Sequence, residues 1–366
     1  MINKLVIENL KYRWVRTFLC ALVVGVQVAS ILMLIGLSRG LLEDSAQRAR
    51  GTGADIFLKP GGQNFSLASG QVNDKFVSFV ARQPHVKQAV GILIQQVELV
   101  TTLNGVNVEE FSKMNGGFRF LSGGPPKDPD DLIVDEYYAQ QHKLHVGQTV
   151  RLLNHDWHLT GIMQGGVLAR LVVNLQRLQE LTGNANPPRI SEILVKLDDP
   201  ARTPDEVKNL DAVLRGNLTA ISMHDFVSQF TISNIPQLRT FIAVITAMAV
   251  IVGFLVVFLS MYTAVVERTR EIGILKALGA KPVTIIGILV REAIVLALAG
   301  CALGIIFAGI GRIVVTSILP ATLMIVNTPD WWPRAAAIAI VGALLGAIYP
   351  GYKAARQDAI EALAYE

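Results

Sequence analysis

The sequence predicts an α-helical integral membrane protein with four transmembrane helices and an inserted mixed α+β extracytoplasmic domain. Three observations carry this. Of 366 residues, 51% are hydrophobic and 17% charged, with mean hydropathy +0.43; soluble domains run near a quarter charged. Long uncharged runs recur at Thr17 to Ser38, Thr240 to Val266, Ala293 to Gly311 and Ala335 to Tyr349. Between the first two runs, Arg39 to Arg239 carries 20 basic and 21 acidic residues, a soluble-type composition.

Residues 1–38 hold a basic N-terminal segment and the first span. Lys4, Lys11, Arg13 and Arg16 precede an uncharged stretch long enough to cross ~30 Å of hydrocarbon as a helix. A cleaved signal peptide would have a shorter apolar core and a small-residue cleavage site. An uncleaved helix with its N-terminus inside fits better, and Arg39 to Arg50 extends it as a stalk.

Residues 39–239 read as mixed α and β. Val72 to Ala81 has a helical pattern that ends before Pro84. Val90 to Leu103 is rich in β-branched residues, with Asn104-Gly105 as a two-residue hairpin turn. Leu132 to Val134 reads as a strand and Tyr137 to Lys143 as a helix. Thr149 to Leu153 and Trp157 to Ile162 form a hairpin around Asn154. Leu175 to Leu181 and Pro204 to Leu214 read as helices, and Glu192 to Leu197 as a strand.

Residues 240–366 hold the other spans, at about 240–266, 293–311 and 335–349. Gly300, Gly304, Ala308 and Gly311 recur near four-residue spacing, which lets helices approach closely. Gln27 and Ser30 in the first span offer hydrogen bonds across helices. Ile313 to Pro329 is uncharged but broken by Pro320 and Pro329, so it reads as an interfacial helix or hairpin at the outer face. Trp331-Trp332 suit a membrane interface. With four spans and the N-terminus inside, eleven basic residues fall in inner segments against Arg312 and Arg334 outside, as the positive-inside rule requires. Both termini are then cytoplasmic and residues 39–239 extracytoplasmic. The positive net charge of +4 belongs to these membrane flanks, so no nucleic-acid surface is implied.

Glu267 to Ala280, E-R-T-R-E-I-G-I-L-K-A-L-G-A, sits where the chain re-emerges into water between two spans. Its charges cluster early. Ile272, Leu275 and Leu278 form an apolar stripe on a short helix, with the charges outward. Gly279 marks a C-terminal stop, and Pro282 blocks continuation. Such a helix is built to dock another protein; an ordinary membrane–water loop is the plainer alternative. Arg291 and Glu292 read as a pair at the inner interface.

Glu267 to Ala293, continuing A-K-P-V-T-I-I-G-I-L-V-R-E-A, resembles the signature of the MacB/FtsX/LolC superfamily of ABC-transporter permeases. So does the end of the chain, Pro350-Gly-Tyr-Lys-Ala-Ala-Arg-Gln-Asp-Ala-Ile-Glu-Ala-Leu363, except that the family often has Pro where Ala359 stands. The order of elements from Ile133 to Leu181 resembles, more loosely, the extracytoplasmic domain of MacB-like members. The resemblance implies that 267–280 is a coupling helix seated on a cytoplasmic ABC ATPase subunit. Glu267, Arg268, Glu271, Ile272, Gly273, Lys276, Ala277, Leu278 and Gly279 would make the contact. It implies a dimer with itself or a similar permease in a bacterial inner membrane, surrounded by membrane lipids. Some members also work with a periplasmic adaptor and an outer-membrane duct. The implied function is mechanical work on a small molecule, peptide or lipid/lipoprotein in the periplasm or outer leaflet. The alternatives are a non-transporting, FtsX-like regulator of an envelope enzyme and a membrane-anchored binding protein without an ATPase.

No catalytic residue is expected in this chain. There is no G-x-x-x-x-G-K-[ST] loop and no Gly-Lys pair, so ATP and Mg belong to the partner ATPase and this chain binds no cofactor of its own. G-x-S-x-G occurs once, as Gly36-Leu-Ser38-Arg-Gly40, but at the end of the first apolar run and not on a strand-to-helix turn, so it marks no nucleophile elbow. His142/His145 and His155/His158 have i,i+3 spacing, but no Cys accompanies them, and structural or solvated histidines are the reading adopted over a metal site. Cys20 and Cys301 lie inside apolar runs and carry no disulfide or metal pattern.

Overall fold

A computed structural model describes residues 8–9, 11–61, 70–98, 101–319 and 324–356. The chain divides into two compact units, Met1–Ser38 with Gln237–Val315 and Ile325–Glu366, and Arg39–Pro236 with Thr316–Met324. In chain order the elements are α1 (Trp14–Arg50), β1 (Ile56–Pro60), β2 (Val72–Asn73), α2 (Lys75–Val80), β3 (Val86–Gln96), β4 (Thr102–Val106), α3 (Val108–Asn115), β5 (Phe120–Gly123), β6 (Asp131–Asp135), α4 (Glu136–His142), β7 (Thr149–Leu152), β8 (His155–Met163), β9 (Leu171–Asn174), α5 (Leu175–Leu181), β10 (Arg189–Ile190), β11 (Glu192–Leu197), α6 (Thr203–Leu214), β12 (Leu218–Ser222), α7 (Met223–Ser228), α8 (Pro236–Glu267), α9 (Thr269–Ala277), α10 (Pro282–Ile318) and α11 (Trp332–Arg356).

In the first unit, four helices are long and apolar enough to cross a membrane: α1, α8, α10 and α11, the last with its short lead-in from Pro329. At 1.5 Å per residue the 37 residues of α1 run about 55 Å, well beyond ~30 Å of hydrocarbon. The small residues of α10 meet α1. A Cβ on Gly300 would stand 2.6 Å from Val24 Cβ, and one on Gly304 would stand 2.7 Å from the Gly25 carbonyl oxygen. Glycine at both positions lets the two backbones close up, and van der Waals packing, the main attraction between helices in lipid, gains accordingly. Gln27 lies against Gly253 of α8, whose missing side chain makes its space. Ser30, by contrast, bonds the Val26 carbonyl of its own helix at 2.8 Å. The uncharged stretch after Gly311 is not a separate interfacial element: α10 continues through it to Ile318. Pro320 and residues 357–363 of the C-terminal motif lie outside the described residues.

The second unit is built on one mixed sheet, in the order β12-β1-β11-β3-β4-β9-β6-β8-β5, with β7 paired to β8. The β4–β9 and β6–β8 pairs are parallel, the others antiparallel. Small helices cover the sheet: α3 and α7 contribute Phe111 and Phe226 to one apolar cluster, α6 contributes Leu210 and Leu214 to another, and α4 and α5 contribute Tyr138 and Leu178 to a third. The β7–β8 hairpin turns through Leu153 and Asn154, both at positive φ as a tight hairpin turn requires. Asn104-Gly105 does not turn. It lies buried within β4, and the chain reverses between β3 and β4 instead. The glycine is needed there because a Cβ would meet Leu178 of α5 at 2.9 Å. Asn107 then caps α3 by accepting from Glu110 N.

A buried charge cluster fixes the end of α1 into this unit. Arg170 bridges Asp44 and Asp135, each at 2.9 Å, and Arg48 reaches Asp44 at 2.8 Å. Burial pushes the Asp135 carboxyl up, against the downward pull of Arg170, and pushes the Arg48 guanidinium down. Asp135 also caps α4 through Tyr138 N. His155 stands 2.8 Å from Asp130, which Arg177 holds at 2.6 Å. Arg177 and His155 keep the Asp130 carboxyl below the usual range.

Candidate functional site

The stretch singled out by sequence folds as a short helix, α9, between α8 and α10. The chain breaks helical geometry at Arg268 (φ −109°, ψ 16°), re-enters a helix at Thr269 and leaves it at Ala277. The exit is a Schellman turn. Ala280 N donates to the Leu275 carbonyl at 3.0 Å, Gly279 N donates to Lys276 at 2.9 Å, and Gly279 takes φ +89°. Pro282 then opens α10, where its missing N–H costs nothing. The sequence therefore fixes both ends of a helix only nine residues long, too short to be stable by itself.

What holds it is its inner face. Thr269, Ile272 and Gly273 are buried. Ile272 packs in a cluster with Met261, Val265, Ile285 and Leu289 from the flanking helices. Lys276 Nζ donates to the Ala355 carbonyl of α11 at 2.9 Å, tying α9 to the Ala-Ala-Arg motif near the end of the chain. The apolar stripe expected from Ile272, Leu275 and Leu278 is split. Ile272 is inside and Leu275 half-buried, but Leu278 is the residue at which the helix ends, and it is 81% exposed. Its N–H still donates to the Ile274 carbonyl at 3.0 Å, so it keeps a helical position at the C-cap and shares the open edge with Ile274.

The early charges are split too. Arg270 and Glu271 face outward. Arg268 faces inward: its Nη1 donates to Glu292 Oε1 at 3.0 Å and its Nη2 to the Asn9 carbonyl at 3.2 Å. Asn9 Nδ2 closes the triangle on Glu292 at 2.8 Å. Glu292 is 2% exposed, so it belongs to this network, while its neighbour Arg291 faces out. Glu267, at the foot of α8, pairs with Arg13 and with Arg16 of the N-terminal segment.

Of the nine predicted contact residues, Glu271, Ala277, Leu278 and Gly279 thus lie on an open edge, whereas Arg268, Ile272, Gly273 and Lys276 anchor the segment and Glu267 engages the two arginines. Two exposed apolar residues extend the edge beyond that set: Ile274 at 46% and Val283 at 77% exposure. Ile274 and Leu278 are four apart, a helical spacing visible in the sequence. Asn9 and the inward turn of Glu292 left no such signal, because their partner lies more than 20 residues away.

Comparison with known proteins agrees with this architecture. The family described as MacB-like periplasmic core domain matches residues 17–213, and that described as FtsX-like permease C-terminal matches residues 243–359. The macrolide export ATP-binding/permease protein MacB of Shewanella oneidensis is 26% identical over 96% of this chain and 58% of its own length, so the chain spans less than two thirds of that relative. An uncharacterized ABC transporter permease of Mycobacterium tuberculosis is 23% identical over 82% of this chain and 84% of its own. The crystal structure of the periplasmic region of MacB from Actinobacillus actinomycetemcomitans aligns over 51% of this chain and 96% of that one, at 16% identity and a TM-score of 0.37. The chain is a multi-pass membrane protein that belongs to the family of ABC-transporter permeases with a MacB-like periplasmic core domain and an FtsX-like permease region.

Proposed function

We propose that this chain is the permease of an ABC transporter whose open α9 edge receives force from a cytoplasmic ATPase. One observation carries the reading. A capped helix between two membrane spans is anchored on one face, while Glu271, Ile274, Leu278 and, past the turn, Val283 stand open on the other. An exposed apolar edge rimmed by charge suits a protein partner. The FtsX-like match over 243–359 supports it, as do the longer relatives whose names join ATP binding to a permease. ATP and Mg are bound by that partner. Closure of the ATPase pair presses on residues 267–280; α8 and the stalk of α1 relay the displacement toward residues 39–239. Both termini are cytoplasmic, and residues 39–239 lie in the periplasm. A second copy or a similar permease completes the dimer. The work done is export or extraction of a small molecule, peptide or lipid/lipoprotein, with an adaptor and an outer-membrane duct as further partners.

The test is ATP hydrolysis by the full chain in detergent, alone and after co-expression with a P-loop ATPase subunit. The chain alone is expected to be inactive and the complex active. Glu271→Lys and Leu278→Asp, both at exposed positions, should each weaken co-purification of the ATPase about tenfold or more, as central interface residues do. Hydrolysis by the lone chain, or a complex indifferent to both substitutions, overturns the reading.

A further inference from the structure

A groove of about 740 Å³ opens within the first unit between the start of α1 and the last turns of α8. Its volume is in the range of small-molecule sites, about 300–1,000 Å³. Its two ends differ in chemistry. Toward the coupling segment it is lined by Tyr12, Arg13, Trp14, Arg16 and Glu267; along the span it is lined by Leu19, Val256 and Leu259.

The polar end has an excess of positive charge, two guanidinium groups against the single carboxylate of Glu267. Arg16 Nη2 uses both oxygens of that carboxylate, at 2.5 and 2.6 Å. Its Nη1 is buried and has no hydrogen-bond partner among the described residues. A buried N–H without an acceptor is costly, so the site is one anionic oxygen short. Tyr12 and Trp14 are 85% and 69% exposed, as aromatic residues at the level of lipid headgroups are. Leu19 and Leu259 continue the groove as exposed apolar surface.

We propose that this groove binds one anionic phospholipid of the leaflet at the coupling-segment end. Its phosphate sits on Arg13 and Arg16, and an acyl chain runs along Leu19, Val256 and Leu259. A single phosphodiester charge neutralises the excess and supplies the acceptor that Arg16 Nη1 lacks. The apolar continuation distinguishes a lipid from a free anion, which would gain nothing from it. Basic pockets between membrane helices recognise lipid headgroups in this way. Because Glu267 shares the site, a bound lipid braces the foot of α8 against α1 directly beside α9.

The test is native mass spectrometry of the full chain in mild detergent, titrated with dioleoylphosphatidylglycerol, dioleoylphosphatidylcholine or inorganic phosphate. Phosphatidylglycerol should be retained about fivefold or more over phosphatidylcholine, and phosphate should not be retained. Arg16→Gln should lose about that factor and Arg16→Lys should keep most of it. Leu259→Trp, which keeps both arginines and fills the apolar end, should also lower retention, and it decides the matter alone if Arg16→Gln does not fold. Equal retention of the two lipids, retention of phosphate as strong as that of phosphatidylglycerol, or indifference of Leu259→Trp overturns the proposal. So does full cross-linking of Leu259→Cys copies in lipid-free detergent, which would seat a second copy of the chain in the groove.

Discussion

Breaking the Arg268–Glu292 pair should cost more than any exposed charge change in this chain. The side chains of Arg268 and Glu292 are 14% and 3% exposed, and their charged groups are 3.0 Å apart. At an effective dielectric constant of about 20, unit charges at that separation attract by roughly 5–6 kcal/mol, part of which only offsets their desolvation. Arg268→Met removes the attraction but leaves the carboxylate buried, with Asn9 as its remaining hydrogen-bond donor in the network. Orphaning one member of a buried pair costs about 3–5 kcal/mol. Replacing both, as Arg268→Met with Glu292→Leu, removes the orphan, so the double variant should lie within about 1–2 kcal/mol of the parent. The assay is equilibrium unfolding of the full chain in detergent micelles, run as a double-mutant cycle. A loss below about 1 kcal/mol for Arg268→Met, or a double variant as unstable as the two single losses added, would refute the reasoning; the pair would then behave as a solvated surface contact.

Two further outcomes follow from other parts of the chain. Gly304→Leu must push a side chain into Val28 and the Gly25 carbonyl, so α1 and α10 should separate, with a loss of at least about 1–3 kcal/mol in the same unfolding assay; Gly309→Leu, where a Cβ meets nothing within 4 Å, should be close to neutral. Glu192, half-buried at the start of β11, has its carboxyl pushed up to about 8 by desolvation. Since its folded pKa lies above the unfolded value near ~4.3, the unfolded chain releases the proton first, and stability should fall as pH rises between those two values and level off above about 8. Glu192→Gln should remove that slope from the melting temperature measured between pH 5 and 8; an unchanged slope would mean that the carboxyl is solvated.

The membrane architecture was legible because hydrocarbon thickness imposes a length and a composition that leave few alternatives. The strand–helix alternation from Leu132 to Leu197 was legible for a similar reason, since side-chain periodicity survives in the sequence wherever one face is buried. What failed was local turn chemistry set by distant packing. Asn104-Gly105 carries the sequence signature of a hairpin turn, yet it lies within β4 because the glycine serves the approach of α5, some seventy residues later in the chain. Ile313 to Ile318 precedes a proline, which suggests that it leaves the span, but the six residues contain no proline or glycine, and α10 keeps them despite their β-branched side chains.

The nine contact residues divide for a reason that no local pattern holds. Period alone puts Ile272, Leu275 and Leu278 on one stripe, and charge alone turns Arg268 outward. Both rules assume that a short amphipathic helix has one wet face and one dry face. Here α9 is joined to membrane helices at both ends, so the face it buries is chosen by what those helices present. They present an apolar pocket for Ile272 and the carboxylate of Glu292 for Arg268. Leu278, the C-cap next to Gly279, lies beyond that pocket and stays exposed. An inward-facing, half-buried arginine and an exposed leucine are the reverse of the usual assignment: Arg268 fastens α9 to α10 through Glu292, and Leu278 stands on the open edge.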